Sequence, residues 1–139
     1  MPRTRTADSI VKDDQGYVTA TIFSIEDVPS KYSGDQFKWV FVTPTVKGKT
    51  ATMSEWTGLN FNPNKTYTDP ETGEISYNKL TTICLNLGVI TEEQLLKGEE
   101  LEIDLDELLL EKTVTYKTKP SQKRAGLEEI DISSIRLVG

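Results

Sequence analysis

The sequence predicts an all-β protein: one five-stranded barrel with a helix inserted between the third and fourth strands. Three observations carry that expectation. The stretch 36–45, QFKWVFVTPT, alternates Phe37, Trp39 and Phe41 with Lys38, Val40 and Val42, the period of two that puts successive side chains on opposite faces of a strand. Similar short runs, rich in β-branched and aromatic residues and bounded by turn residues, occur on both sides of it. The one extended stretch with a helical period, 77–88, falls between the third and fourth of these runs.

Residues 1–15 are polar, carry Arg3 and Arg5 and show no periodicity, so they read as a flexible arm ahead of a domain over 16–139. The first strand is 16–25, GYVTATIFSI, with Val18, Ala20 and Ile22 on one face and Tyr17, Thr19, Thr21 and Phe23 on the other. A loop follows over 26–35, where Pro29, Ser30, Ser33, Gly34 and Asp35 are turn residues and Lys31 sits beside Tyr32. The second strand is the opening stretch. Pro44 ends it or marks an edge, because proline has no N–H for the ladder. Lys47-Gly48-Lys49 is a tight turn, and so short a connection implies an antiparallel hairpin. The third strand, 50–56, sets Ala51, Met53 and Glu55 against Thr50, Thr52, Ser54 and Trp56, a pattern too weak to say which face is buried.

Residues 57–76 are a long polar loop with Phe61 and Tyr67 embedded and a DPETGE turn that has room for a short hairpin. In 77–88, YNKLTTICLNLG, Leu80, Ile83, Cys84 and Leu87 lie at i, i+3, i+4 and i+7, one apolar stripe, with Gly88 placed to terminate the helix. Residues 91–97 read as a second helical turn capped by Thr91, with Glu93 and Gln94 near the reciprocal capping position. The apolar run 105–110 packs where the chain enters the fourth strand, 111–119. A cationic turn over 120–127 leads to the fifth strand, 128–138, in which Ser133-Ser134 interrupts the alternation as a bulge would.

Composition removes several function classes. A chain of 139 residues with one cysteine and no histidine has no internal disulfide and lacks the usual zinc ligands. It also lacks the base of Ser-His and Cys-His catalysis. Carboxylates alone could still serve an enzyme, but the acids gather along one segment rather than pairing in a cleft. No enzyme and no cofactor is expected. No apolar run is long enough to span a bilayer, and the N-terminal residues lack the apolar core of a signal peptide, so a cytoplasmic protein without a membrane partner is expected. The net charge of −6 is unevenly spread: 89–112 hold nine acids against Lys97 and Lys112, while 113–126 hold Lys117, Lys119, Lys123 and Arg124 and no acid. A basic surface is therefore compatible with the acidic total.

Three strands, a helix and two more strands are the element order of an OB-fold, which binds ligands on its second and third strands and on the first–second and fourth–fifth loops. The pieces GYVTATIFSIEDVPSKYSGDQFKWVF, YNKLTTICLNLGV, LLLEKTVTYKTK and AGLEEIDISSIRLV resemble small bacteriophage-type OB-fold proteins regarded as single-stranded DNA-binding proteins. The resemblance covers roughly residues 16–138 as a pattern of elements. It implies a non-catalytic module for single-stranded DNA in replication or recombination, with proteins of those processes as partners, working in the host cytoplasm. The chain departs from many bacterial single-strand binders in ending IRLVG rather than in an acidic tail.

A surface for single strands needs cations for phosphates and aromatic faces for bases. The candidates are Lys31 and Tyr32 in the first loop, Lys38 on the second strand, Lys47 and Lys49 in the hairpin and Trp56 on the third strand. Tyr116, Lys117, Lys119, Lys123 and Arg124, from the fourth strand and the loop after it, complete the set. Phe37, Trp39 and Phe41 are either a stacking platform or the barrel interior. A five-stranded barrel needs large residues inside, which favours the interior for Trp39 and Phe41 and sets Lys38 outward. Trp56 is open to both readings. Two other expectations remain: a protein-interaction module using acidic 89–112, and pairing between subunits through the edge strands of a partly open barrel.

Overall fold

In a computed structural model, the chain is described over residues 9–29, 34–70, 72–98, 100–121 and 126–138. The expected barrel is present. Three long strands, β1 (Tyr17–Val28), β2 (Gln36–Pro44) and β3 (Thr50–Thr57), form an antiparallel meander. The first residues of β1 also pair with β6 (Thr113–Pro120), which pairs in turn with β7 (Glu128–Ile130) and β8 (Arg136–Leu137). The order β3-β2-β1-β6-β7 brings β7 back towards β3, with no ladder between them among the described residues, so the five strands form a nearly closed barrel.

Alternation explains what fills it. Val18, Ala20 and Ile22 from β1, Trp39 and Phe41 from β2, and Val114 and Tyr116 from β6 point inward and are buried. Trp39 and Phe41 stack with ring centroids 6.4 Å apart, and Phe41 meets the edge of Tyr116 at 5.7 Å. Both buried rings with polar tips satisfy them, as such rings must. Trp39 Nε1 donates to Thr57 Oγ1 at 2.9 Å, and the Tyr116 hydroxyl donates to Met53 Sδ at 3.3 Å. Opposite this core, α1 (Lys79–Asn86) lays Leu80, Ile83 and Cys84 against the barrel interior. Its Asn78 cap accepts from the Thr81 N–H at 2.9 Å. At the other end, Val89 N–H bonds to Cys84 C=O and Gly88 N–H to Leu85 C=O, with Gly88 at φ 77°, the paired closure of a Schellman motif. Glu55 and Lys79 are 2.6 Å apart and tie the start of α1 to β3.

Several boundaries differ from expectation. β1 runs on to Val28, because Glu26, Asp27 and Val28 find partners in Lys38, Phe37 and Gln36. The long loop does carry a hairpin, β4 (Tyr67–Thr68) with β5 (Ile75–Ser76). The second helical turn is α2 (Glu92–Leu96), with a complete capping box between Thr91 and Gln94 rather than Glu93. The apolar run before the fourth strand is a short helix, α3 (Leu105–Leu109), capped by Asp104. The single fifth strand is not formed. The chain leaves β7 into a 3-10 turn over Ile132–Ser134 and re-enters the sheet only as β8, because the Ser134 hydroxyl bonds back to Asp131 C=O and takes the Lys117 N–H from the ladder. The described part of the expected arm is held on the barrel: Ile10 bridges Thr45, Val11 N–H bonds to Pro44 C=O and Lys12 pairs with Glu128 at 2.6 Å. Among the described residues no helix is long and apolar enough to cross a membrane.

Candidate nucleic-acid interface

The outward faces of β1, β2 and β3 form one continuous surface whose rows follow from the ladder register. Glu26, Lys38 and Trp56 make one row; Ser24, Val40 and Ser54 the next; Thr21, Val42 and Thr52 a third. Lys38 is outward because Trp39 and Phe41 take the interior, and a two-residue period leaves no other choice. Trp56 is 45% exposed, with the Lys38 ammonium 5.6 Å from its ring centre. The indole is thus a surface group with a cation over its face.

The register of β1 against β2 shifts between Ile22 and Ser24. The extra residue of that bulge is Phe23, turned outward and 67% exposed. Such bulges re-aim a side chain. By strand spacing, Phe23 and Trp56 lie two strands and about one row apart, roughly 12 Å, with Val40 and Val42 between them. This surface therefore offers two aromatic faces, an apolar floor and a lysine. It also holds Glu26 directly opposite Lys38, an acid that repels phosphate.

The other sequence-derived residues do not all join this surface. Lys47 and Lys49 are exposed at the β2–β3 turn, at the far end of the hairpin from Lys38, roughly 20 Å along the strands. Lys117 pairs in register with Tyr17 on the β1–β6 side and stands 5.1 Å from its ring centre, a second lysine–aromatic pair. Lys119 lies opposite Glu129 and lines a cleft of about 200 Å³ along the β3–β7 seam, together with Glu55, Asp69, Glu74 and Asp131. So acidic a setting suits a phosphate poorly. Tyr116 is a correction: it is fully buried between Phe41 and Met53, so its ring has no face to offer a base. Its even position in β6 sets it inward, and burial raises its phenol pKa. Lys31, Tyr32, Lys123 and Arg124 lie outside the described residues.

Sequence reasoning missed Phe23, Tyr17 and Glu26 as surface groups. The signal existed for Phe23 and Tyr17, which alternate with the buried Val18, Ala20 and Ile22. For Glu26 it did not, because the turn residues after it suggested a loop. Among the described residues no group of three or more Cys, Asp or Glu could hold a metal ion. Cys84 is buried in the helix stripe, which pushes its thiol up to about 12; a thiol is nucleophilic only as the thiolate. Compared with protein-family models, curated proteins and solved structures, the chain matches none of them.

Proposed function

We propose that the protein is a non-catalytic binder of single-stranded DNA, with little sequence preference, in support of replication or recombination in the cytoplasm. The observation that carries this reading is the exposed Trp56 with the Lys38 ammonium over its ring, on the open face of β1–β2–β3. An aromatic face stacks any base, and a lysine neutralises any phosphate, so the pair favours single strands without reading their sequence. Phe23 adds a second face on the same surface. A duplex keeps its base faces stacked inside and offers such a surface only its phosphates. Lys123, Arg124, Lys31 and Tyr32 belong to this reading through their position in the two flanking loops of the sequence. DNA, rather than RNA, follows from the resemblance of the sequence to phage-type single-strand binders.

The test is a titration of fluorescent oligonucleotides at several salt concentrations. Single strands of unrelated sequence are expected to bind alike, with affinity falling as salt rises. Absence of binding to any single-stranded DNA at low salt overturns the proposal. Equal binding to duplex reduces it to a general polyanion contact.

A further inference from the structure

On the acidic side of the molecule, the geometry points to a docking edge for another protein. We propose that residues 100–104 receive an extended strand in which lysine or arginine alternates with large apolar residues. The segment 100–105 reads Glu-Leu-Glu-Ile-Asp-Leu, a strict alternation of acid and aliphatic. Glu100, Glu102 and Asp104 are exposed, Leu101 and Ile103 half-buried and Leu105 buried, so the chain shows one acidic and one apolar side. It is extended at Asp104 (φ −82°, ψ 95°), yet it belongs to no strand. Among the described residues, the backbone groups of Leu101, Glu102 and Ile103 meet no hydrogen-bond partner. An extended backbone with unpaired N–H and C=O groups is a template for an added strand.

Beside it lies a groove of about 560 Å³ lined by Leu101, Ile103, Phe37, Phe61 and Leu80, with Glu102 and Asp104 also in its lining. A strand paired to 100–104 places alternate side chains on opposite sides: apolar ones over the groove, the others across from the acids. Opposite charges directly across a ladder stabilise the pairing, and 89–112 as a whole carry nine acids against two lysines. That fixes the partner's charge as positive. This chain does not supply the strand itself. Residues 1–8, MPRTRTAD, lack the alternating apolar residues, and the lysine–aromatic alternations in β2 and β6 are already held in ladders.

The probe is a fluorescein-labelled short peptide of alternating lysine and leucine, titrated against the full chain by anisotropy without DNA. It is expected to bind at least about tenfold more tightly than a peptide of the same composition with lysines and leucines in separate blocks. N-methylation of the amides on the pairing edge of the peptide is expected to abolish binding, while methylation of the other edge leaves it intact. Glu102→Lys, at an exposed position, and Ile103→Ser, with folding checked by circular dichroism, are each expected to weaken it at least about tenfold. Backbone NMR shifts on binding are expected at 100–105 and 59–61. Equal affinity for the block peptide, indifference to N-methylation, or shifts spread over α2 and α3 overturn the proposal in favour of diffuse attraction or a docked helix. Self-association that closes the groove overturns it in favour of a second copy. None of these outcomes depends on DNA binding.

Discussion

Lys38 and Trp56 face each other across the β2–β3 ladder, and the lysine Nζ stands 5.6 Å from the centre of the indole ring. Such a contact is worth about 0.5–1 kcal/mol at an exposed site, whereas a base stacked on an aromatic ring contributes about 1–3 kcal/mol. In the proposed binding mode a nucleotide displaces the lysine, taking the ring with its base while the ammonium moves to the phosphate.

Trp56→Ala is accordingly expected to weaken single-strand binding by about 5- to 150-fold, the equivalent of one lost stack, with little change in thermal stability. Because Trp39 is buried, quenching of intrinsic fluorescence by DNA should come from Trp56 and vanish in Trp56→Phe. Quenching that survives in Trp56→Phe places the bases elsewhere.

Glu26 opposes Lys38 in register and presents a negative charge where phosphates are proposed to pass. Glu26→Gln should tighten binding, and Lys38→Gln should weaken it and reduce the salt slope by about one phosphate contact. Affinities measured across a salt series separate the two effects. Unchanged slopes in Lys38→Gln exclude that lysine from the phosphate path.

The Trp39–Thr57 hydrogen bond links core packing to a polar requirement. Trp39→Ala should cost about 3–5 kcal/mol by removing the largest buried side chain. Thr57→Val keeps the volume but leaves the indole N–H unpaired, and should cost about 1–3 kcal/mol. Urea unfolding checks both. A neutral Thr57→Val shows that the N–H finds another acceptor.

Cys84 is fully buried, and desolvation pushes its thiol up to about 12. At pH 8 a disulfide reagent such as DTNB should leave it unmodified in the native protein and label it at once in denaturant. The folded pKa lies above the unfolded value of about 8.5. Its contribution to stability is therefore complete below about pH 8.5 and is lost as the pH rises towards 12. Rapid native labelling at pH 8 contradicts the burial.

Glu128 has a pKa lowered first by its hydrogen bond from Lys12, with Thr118 also donating to it. A carboxylate held below its unfolded pKa of about 4.3 adds stability above that pH and loses it as the pH falls below it. Both side chains are a third to a half exposed, so Lys12→Met should cost only a few tenths of a kcal/mol. Its stability deficit should be present at pH 7 and shrink progressively as the pH falls below about 4.3. A deficit that does not change with pH comes from lost packing of the Lys12 stem instead.

The sequence by itself determined the local patterns. Alternation set Val18, Ala20 and Ile22 inward, put Lys38 opposite to Trp39 and Phe41, and placed the i, i+3, i+4, i+7 stripe on α1. Each follows from a period of two or 3.6, which a chain carries without reference to anything distant. Only the tertiary structure decided the rest. Trp56 became a surface group because its weakly patterned strand took its register from β2, which put Trp56 across from Lys38. Alternation already set Tyr116 on the Val114 face of β6; that this face is core was decided by Phe41 and Met53, residues 75 and 63 positions away in the chain, which it meets there. The bulge after Ile22, which exists only once two strands are paired, shifted the alternation so that Ile25 is buried and Glu26 faces out. The unpaired backbone at 101–103 likewise had no signature beyond its alternation, since whether such a segment finds a ladder partner depends on which strands the nearly closed barrel leaves within reach.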